Sequence, residues 1–501
     1  MHRSGLILGW DAGGANAFGF GPAEPATSAP DGPIPFEGDG PLCCIAPTGS
    51  GKGRDFLIPN LLTYPGPIIA LDPKGELSAV CGRARRRRGR RVAILDPFGV
   101  TDNPSDRLNP LDLFDQPGAQ LECDAEMLAT LLGEGHGVDK DPFWSDTATG
   151  ITAGLIAHVA SAHPPGERNL TTIRSYLHHV DLSHRLAELL DVGGLPSLVH
   201  DEFAAFLQHS GEKTRESVLS TATTFVKALG SRDVARCLED STIPLADITA
   251  GMPLDVFVTV PPEKLKSHRA LIRLWIATLL TTIMRRKVIP ERRTLLVLDE
   301  AAQLGTFEPL VTAATLMRGY GLQMITIWQD LAQMKTRYPA DWATILNNSA
   351  ALLAFGFGHF AAAKEYAEVL GLDPHELAVL PPTDAALAVR GEGTRKIRRM
   401  NYLADEMFRG MAEPNPYFQP ARPAKGLAPP DTWLDKLERA REALQQELDD
   451  NERSDDPSDD ARRILSAMVR VTEAIEEVGR LANVAPARKK ARKRKPKDRG
   501  K

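Results

Sequence analysis

A glycine loop set between an apolar run and a helical pattern limits the possible folds of this chain more than its other motifs do. PLCCIA (41–46) has the composition of a short buried strand, and TGSGKG (48–53) follows it almost at once. GRDFLIPNLL (53–62) then places apolar side chains at helical spacing. In this setting glycines let backbone N–H groups point at a phosphate at the start of a helix, with a lysine adding charge. The segment therefore predicts a phosphate-binding loop.

This loop departs twice from the consensus G-x-x-x-x-G-K-[ST]. Ala46 stands at the position of the first glycine, and Gly53 stands where serine or threonine follows the lysine. The alternative interpretation is a glycine-rich turn with a solvated Lys52. The strand before the loop and the helix after it favour a nucleotide site. The loop residues expected to bind the nucleotide are Thr48, Gly49, Ser50, Gly51, Lys52 and Gly53.

A second nucleotide-site signal is the run TLLVLDE (294–300), in which four apolar residues precede Asp299 and Glu300. Two carboxylates at the end of a buried strand are costly unless they have a function. Asp299 fits the carboxylate on the metal side of a bound nucleotide. Glu300 fits the base that polarises water for attack on the γ-phosphate. The alternative is an acidic pair at the start of a helix, where carboxylates favour the dipole; the glycine loop in the same chain favours the nucleotide site.

Apolar runs and helical patterns divide the chain into parts. Short apolar strands alternate with helices in residues 41–110 and again in 245–412, which predicts an α/β fold with a parallel sheet between layers of helices. Residues 111–244 carry helical spacing without a convincing strand, which predicts an all-helical insertion. We expect residues 1–40 to be a lead-in with a short strand or hairpin, and 413–501 to be a linker, a helical stretch and a tail. The predicted strands lie in PLCCIA (41–46), IIAL (68–71), RRVAILDPFG (90–99), PLDVFVTVPP (253–262), TLLVL (294–298), LQMITIW (322–328) and ALLAFGF (351–357).

Composition and hydropathy argue against a fibrous protein and against a membrane protein. The chain has 501 residues, 43% hydrophobic and 25% charged, with a formal net charge of −5, as in a soluble globular protein of several domains. No window reaches the ~18 to 20 apolar residues of a spanning helix, so we expect no transmembrane segment. The five cysteines form no C-x-x-C pair, which indicates neither zinc nor a disulfide framework and suits a reducing cytoplasm.

The last part of the sequence changes character sharply. NERSDDPSDD (451–460) is acidic and predicts disorder. Residues 488–501 hold ten lysines or arginines against one aspartate. Two interpretations of this basic tail stay open: a solvated, disordered end, or an arm that binds the phosphates of DNA or of anionic lipid.

Several characteristic stretches follow one another along the chain. They are, in order, APTGSGKG with IPNLL (46–62), LDPKGE (71–76), LDPF with RLNPLD (95–112), LLVLDEAAQLG (295–305), RGYGLQ (318–323), and IWQDLAQMKTRY with TILNNS (327–349). Together they resemble the TraG-like family of type IV secretion coupling proteins, the ATPases that pass DNA or protein substrates to a conjugation or secretion channel. The resemblance covers roughly residues 40–412 and implies a RecA-like P-loop NTPase domain interrupted by an all-α domain.

The resemblance also implies how the unusual loop works. Family members often carry glycine after the loop lysine and lack the first loop glycine, so the site is expected to bind ATP and Mg²⁺. The missing hydroxyl at Gly53 removes one magnesium ligand. Water, Ser50 or Thr48 would complete the octahedron, with Asp299 as the metal-side carboxylate in the outer shell.

Two further site residues come only from the resemblance. Arg318 resembles an arginine finger that reaches the nucleotide of a neighbouring subunit and stabilises charge on the γ-phosphate. Gln329 follows a strand and would sense the γ-phosphate through a hydrogen bond. The motif LDPKGE, with Asp72 and Lys74, is expected to be architectural.

The function implied is that of an ATP-driven motor, acting as a homo-hexamer. It would recruit DNA, expected to be single-stranded, or a relaxase–DNA complex, and translocate it into a type IV secretion channel. Typical members begin with two membrane helices, which this sequence does not show, so we expect a cytoplasmic protein that meets the inner membrane only through partners. The alternative is an adaptor that binds nucleotide and docks substrates with little or no hydrolysis.

Overall fold

In a computed structural model of the chain, one sheet of eleven strands runs through the residues that the structure describes, which are 5–11, 32–134, 142–209, 211–417 and 467. The order across the sheet is β2–β1–β11–β10–β9–β3–β8–β7–β4–β6–β5. The strands are β1 (Leu6–Trp10), β2 (Pro33–Phe36), β3 (Leu42–Ile45), β4 (Ile68–Leu71), β5 (Arg91–Leu95), β6 (Leu254–Val258), β7 (Thr294–Leu298), β8 (Leu322–Trp328), β9 (Ala351–Ala354), β10 (Asp384–Val389) and β11 (Gly393–Arg398).

The seven neighbouring strands from β5 to β9 are parallel, whereas β10, β11, β1 and β2 extend the sheet with antiparallel pairs. In the parallel part, Ile45 of β3 is level with Trp328 of β8, and Leu298 of β7 is level with Leu71 of β4. The carboxyl ends of β3, β7 and β4 therefore meet at one edge of the sheet. Polar loops that follow parallel strands at such an edge form binding sites.

Helices connect and cover these strands. Eight of them, α3 to α10, lie in sequence between β5 and β6, with no strand among the described residues of that interval. The helices are α1 (Ile58–Thr63), α2 (Glu76–Arg87), α3 (Leu121–Gly133), α4 (Phe143–Ala162), α5 (Leu170–Leu177), α6 (Leu182–Val192), α7 (Ser197–Gln208), α8 (Glu212–Phe225), α9 (Arg232–Glu239), α10 (Leu245–Ala250), α11 (Arg269–Met284), α12 (Glu308–Thr315), α13 (Leu331–Arg337), α14 (Trp342–Asn348), α15 (Phe360–Leu370) and α16 (Pro374–Ala378).

The apolar core lies in two layers, one on each face of the sheet. Alternate residues of β3 show the division, because Cys43 and Ile45 pack into one layer while Leu42 and Cys44 pack into the other. The first layer also contains the interior of α3 to α10, so the helical insertion and the sheet share a continuous core. Because this core is continuous, it marks no domain boundary at residue 111 or at residue 244, and both boundaries stay a prediction.

The predicted parallel sheet between layers of helices is confirmed, and all seven predicted strands are present as β3 to β9. The strands β10 and β11 were not predicted. Their sequences, DAALAV and GTRKIR, are rich in alanine and in charge, which are weak strand signals. They form because each finds a partner: Ala386 pairs with Lys396 in β11 and with Ala354 in β9.

The predicted lead-in strand is also present as β1, which pairs with both β2 and β11. The expectations for the linker beyond residue 417, for the helical stretch after it, for the acidic run at 451–460 and for the basic tail at 488–501 lie outside the described residues. Among the helices that the structure does describe, none is both long enough and apolar enough to cross a membrane.

Candidate nucleotide-binding site

The glycine loop leaves β3 at the carboxyl edge of the parallel strands and leads into a helix. The helix opens with a wide, π-helical turn (Gly53–Leu57) and continues as α1. Gly49 and Gly51 have φ of 79° and 94°, a region that side chains rarely adopt. A Cβ at Gly51 would also lie 2.8 Å from Oδ2 of Asp55. Only glycine at position 51 fits both constraints, which suits a loop whose backbone would approach a phosphate closely.

The loop is supported from behind by Arg399, which follows β11. Its Nη1 donates to the carbonyl oxygen of Ser50 at 2.6 Å, and its Nη2 lies 3.2 Å from Oδ2 of Asp55. The guanidinium also sits over the ring of Phe355, 4.5 Å from the ring centroid. Sequence reasoning missed Arg399, because it stands in the charged run RKIRRM without any motif to distinguish it. Arg399 thus connects the loop to the segment after β11, which lies three strands from β3 in the sheet.

Three charged side chains meet beside the loop. Lys52 Nζ lies 3.6 Å from Glu300 Oε1, and Asp299 comes directly after β7, two strands away from β3 in the sheet. Within the described part of the chain, Lys52 Nζ and Asp299 Oδ1 are buried and have no hydrogen-bond partner. Burial raises the pKa of Asp299 to about 7, and the charge of Lys52 opposes that rise. Buried polar atoms left unpaired are costly, so this arrangement fits a ligand that carries both phosphate and a cation.

Glu300 is held in a strained backbone conformation. Its φ is 68°, and among the described residues no other non-glycine has φ in the left-handed region. Its carboxylate accepts hydrogen bonds from two amides, from Gln303 Nε2 at 3.3 Å and from Gln329 Nε2 at 3.4 Å. Strain of this kind persists where the surrounding structure enforces it, commonly at functional sites. The structure thus brings Gln329, named from the sequence, into contact with Glu300.

The loop after β4 lies at the same edge of the sheet. Asp72 is buried, and its carboxylate accepts hydrogen bonds from the backbone N–H groups of Leu77 at 3.1 Å and Ser78 at 2.8 Å. Burial raises the pKa of Asp72 to about 6, and these two hydrogen bonds oppose the rise. Asp72 therefore caps the start of α2. Glu76, in the first turn of that helix, also belongs to this edge.

Arg318 lies away from the other predicted site residues. It precedes β8, at the amino end of the parallel strands, whereas the glycine loop lies at the carboxyl end. The two ends are about 20 Å apart, since each residue of a strand advances about 3.3 Å. The Arg318 side chain is 64% exposed, with Nη1 3.5 Å from Asp39 Oδ1. It does not reach the loop of its own chain.

The residues around the loop fit ATP and Mg²⁺. Lys52 and the backbone of Gly49 to Gly51 could hold the phosphates, and the carboxylates of Asp299 and Glu300 carry the oxygen atoms that Mg²⁺ prefers. The two hydroxyls proposed as replacement ligands differ. Ser50 Oγ donates to the carbonyl of Pro47 at 2.6 Å, whereas Thr48 is exposed at the loop surface.

Known proteins resemble this chain in sequence. The TraG conjugal transfer protein of Rhizobium radiobacter is 29% identical over 307 residues, which cover 60% of this chain and 47% of that protein. The type IV secretion system-coupling protein VirD4 of Bartonella quintana is 28% identical over 304 residues, which cover 59% of this chain and 47% of that protein. The chain therefore spans about half the length of the curated relatives it matches.

Solved structures of the coupling protein TrwB share the fold. The unbound form of TrwBdeltaN70 matches with a TM-score of 0.58 and 16% identity, over 79% of this chain and 89% of that one. TrwB in complex with ADP and Mg²⁺ matches with a TM-score of 0.57 and 18% identity, over 73% of this chain and 86% of that one. The likeness confirms the predicted fold class, an α/β RecA-like P-loop fold with an inserted all-α domain.

The family model described as type IV secretory system conjugative DNA transfer matches residues 35–373. This range contains the glycine loop, the helical insertion and the run that ends in Asp299 and Glu300. It covers more than half of the chain and confirms the resemblance seen in the sequence motifs. The chain belongs to the type IV secretory system conjugative DNA transfer family.

Proposed function

We propose that this chain is an ATP-driven coupling protein that recruits DNA, or a relaxase–DNA complex, and moves it into a type IV secretion channel. The observation that supports this proposal most strongly is the meeting of Lys52, Asp299 and Glu300 at the glycine loop. Two of the three keep a buried polar atom without a hydrogen-bond partner among the described residues. A pure docking surface gives no reason for such a costly arrangement, whereas a phosphate and a cation would satisfy it.

Each residue then has a role in hydrolysis. Lys52 would pair with the β- and γ-phosphates of ATP, and Asp299 would hold Mg²⁺ on the other side. The ion, when bound, neutralises charge on the transferred phosphoryl group. Glu300 would accept a proton from the attacking water, and Gln329, which contacts Glu300, would orient that carboxylate relative to the γ-phosphate.

Arg318 would act on the nucleotide of a neighbouring subunit. Its own loop lies at the other end of the sheet, so a contribution to hydrolysis requires a second copy of the chain. An exposed arginine next to an interface can stabilise charge that develops on the γ-phosphate. A ring of identical subunits, expected to be a homo-hexamer, would repeat this contact at every interface.

The cargo in this proposal is inferred from the names of the relatives. The matched relatives are named as conjugal transfer and type IV coupling proteins, which supports DNA, expected to be single-stranded, and channel components as partners. We place the protein in the cytoplasm, with attachment to the inner membrane through partners.

One observation favours a second function. Gly53 lacks the hydroxyl that usually binds Mg²⁺, and slow turnover would turn the same fold into a nucleotide-binding adaptor that docks substrates. The two functions differ in hydrolysis, and not in nucleotide binding.

The test is steady-state ATP hydrolysis by the whole chain, with and without single-stranded DNA. A motor hydrolyses ATP and is stimulated by DNA, and Glu300→Gln lowers its turnover by about 10²- to 10⁴-fold while nucleotide remains bound. Glu308→Gln removes the same charge from an exposed position at the start of α12 and should leave the rate unchanged. If the parental chain binds ATP but hydrolyses it no faster than Glu300→Gln does, the result would support the adaptor instead.

A further inference from the structure

Position 53 lacks a hydroxyl, but a carboxylate lies beside it. A Cβ built on Gly53 would have one atom within 4 Å, apart from its chain neighbours and the backbone of its own helix. That atom is Oε1 of Glu76, at 3.9 Å. Serine or threonine at this position would extend its hydroxyl from the same Cβ. Glu76 thus places an oxygen close to where the hydroxyl of the usual loop would stand.

The fold sets Glu76 next to the metal-side carboxylate as well. Strand β4, which leads to Glu76, pairs in parallel with β7, which leads to Asp299. Leu71 and Leu298 are level at the ends of these strands, so the following loops emerge side by side. Burial is the main cause of the raised pKa of Asp299, and the charge of Glu76 adds to it. Glu76 and Asp299 therefore lie on neighbouring loops at the same edge of the sheet as Gly53.

The carboxylate of Glu76 is also oriented. Asn415 Nδ2 donates to Glu76 Oε1 at 2.5 Å, and it lies 3.3 Å from the hydroxyl oxygen of Tyr402. Glu76 is half-buried in the first turn of α2. A carboxylate fixed in this way can bind a cation without first being ordered.

We propose that Glu76 takes the place of the hydroxyl missing at Gly53 and provides a protein ligand, direct or through one water, for the Mg²⁺ of a bound nucleotide. Mg²⁺ prefers oxygen ligands and is commonly held by one or two carboxylates together with phosphates and water. Asp299 and Glu76 supply two such carboxylates, and Asp299 Oδ1 is buried without a hydrogen-bond partner among the described residues. This inference rests on the proposed nucleotide site, and it deepens that proposal by naming a metal ligand outside the loop and outside the Asp299–Glu300 pair.

The experiment measures binding, so that it does not depend on turnover. Affinity for a fluorescent ADP is determined in EDTA and in Mg²⁺, and the affinity of the nucleotide complex for Mn²⁺ is measured by electron paramagnetic resonance. In Glu76→Gln we expect unchanged affinity in EDTA and about 10- to 100-fold weaker Mn²⁺ binding, the usual scale for residues around a metal. The substitution is not expected to disturb the local fold, because the amide oxygen of the new side chain still accepts from Asn415.

A control and a rescue complete the test. Glu413→Gln removes a carboxylate that pairs with Arg83 of the same helix α2, and it should leave Mn²⁺ affinity unchanged. Gly53→Ser in the Glu76→Gln background should restore Mn²⁺ affinity, since Gly53 has an ordinary φ and no atom closer than 3.9 Å to an added Cβ. Parental Mn²⁺ affinity in Glu76→Gln, or a loss that Gly53→Ser does not restore, would overturn the inference alone. A parental chain that binds no ADP under either condition would refute the proposed function and this inference with it.

Discussion

Lys52 and Glu300 face each other across the candidate site, with Nζ of the lysine 3.6 Å from Oε1 of the glutamate. They are brought together from the ends of β3 and β7, which are separated in the sheet by β8. The contact is too long for a hydrogen bond, and Lys52 Nζ has no hydrogen-bond partner among the described residues. The pair leaves Lys52 available to a phosphate while Glu300 limits the cost of burying its charge.

Lys52→Ala should abolish tight ATP binding without disturbing the fold. A hydrogen bond to a charged group contributes about 1.5–3 kcal/mol, so affinity should fall by at least about tenfold. Isothermal titration calorimetry gives the affinity, and circular dichroism checks the fold. Lys264→Ala, at an exposed position before α11, is the matched control. Parental affinity in Lys52→Ala would place the nucleotide elsewhere.

The backbone conformation of Glu300 predicts which of two substitutions, by glycine or by alanine, destabilises the fold less. Because its φ is 68°, glycine should be favoured over alanine there by about 1–2 kcal/mol, the cost of the left-handed conformation. Chemical denaturation of Glu300→Gly and Glu300→Ala measures this difference. At Glu368, exposed in the right-handed helix α15, the order should reverse, with alanine favoured by about 1 kcal/mol. The same order at both positions would contradict a strained Glu300.

Arg318→Ala should lose ATP turnover only where subunits associate. Its position at the amino end of β8 excludes contact with its own loop. Mixing Arg318→Ala with Glu300→Gln should restore part of the activity, since some interfaces then combine an intact glutamate with an intact arginine. Each variant alone, at the same total concentration, is the control. Absence of rescue at every mixing ratio would argue against action between subunits.

Arg399→Gln should weaken nucleotide binding although Arg399 lies behind the loop. The substitution removes the 2.6 Å hydrogen bond to the Ser50 carbonyl and the ion pair with Asp55, which together hold the glycine loop in place. We expect affinity for ADP to fall by about tenfold, equivalent to about 1.4 kcal/mol. Arg398→Gln changes the exposed neighbouring residue and should have no effect. Equal affinities in the two variants would show that the loop keeps its shape without Arg399.

Asp299 should make stability depend on pH in the nucleotide-free chain. Burial raises its pKa from 3.8 to about 7, so the folded state binds the proton more tightly than the unfolded state. The stabilisation is fully present below pH 3.8 and is lost as pH rises to about 7. As pH rises from 3.8 to about 7, the free energy of unfolding of the parental chain should therefore fall relative to that of Asp299→Asn. The fall is on the order of 1.4 kcal/mol per unit of pKa shift.

Thermal unfolding of the parental chain and of Asp299→Asn at about pH 5 and about pH 8 measures this effect. The difference in stability between the two chains should change between the two pH values. Asp255→Asn is the control for a buried carboxylate that is paired. It leaves Arg85, which donates to Asp255 at 2.7 Å, without its charge partner and should destabilise by about 3–5 kcal/mol. A difference between the parental chain and Asp299→Asn that does not change with pH would contradict the raised pKa.

Local patterns predicted the centre of the fold well. The buried strands from β3 to β9 are continuous apolar runs, and such runs are read directly from the chain. Two site elements were found in the same way, because the glycines around Lys52 and the carboxylates after β7 each follow a strand. Strands β10 and β11 were missed because their residues carry little preference of their own. Pairing with β9 and with each other determines them.

Neighbours along the chain were enough to locate the glycine loop, the buried strands and the two carboxylates that end a strand. The other relationships depend on tertiary contacts. These are the support of the loop by Arg399, the contact of Gln329 with Glu300, the position of Glu76 beside Gly53, and the position of Arg318 at the opposite end of the sheet. Strand order places these residues, and it is set by the packing of distant segments rather than by any local signal.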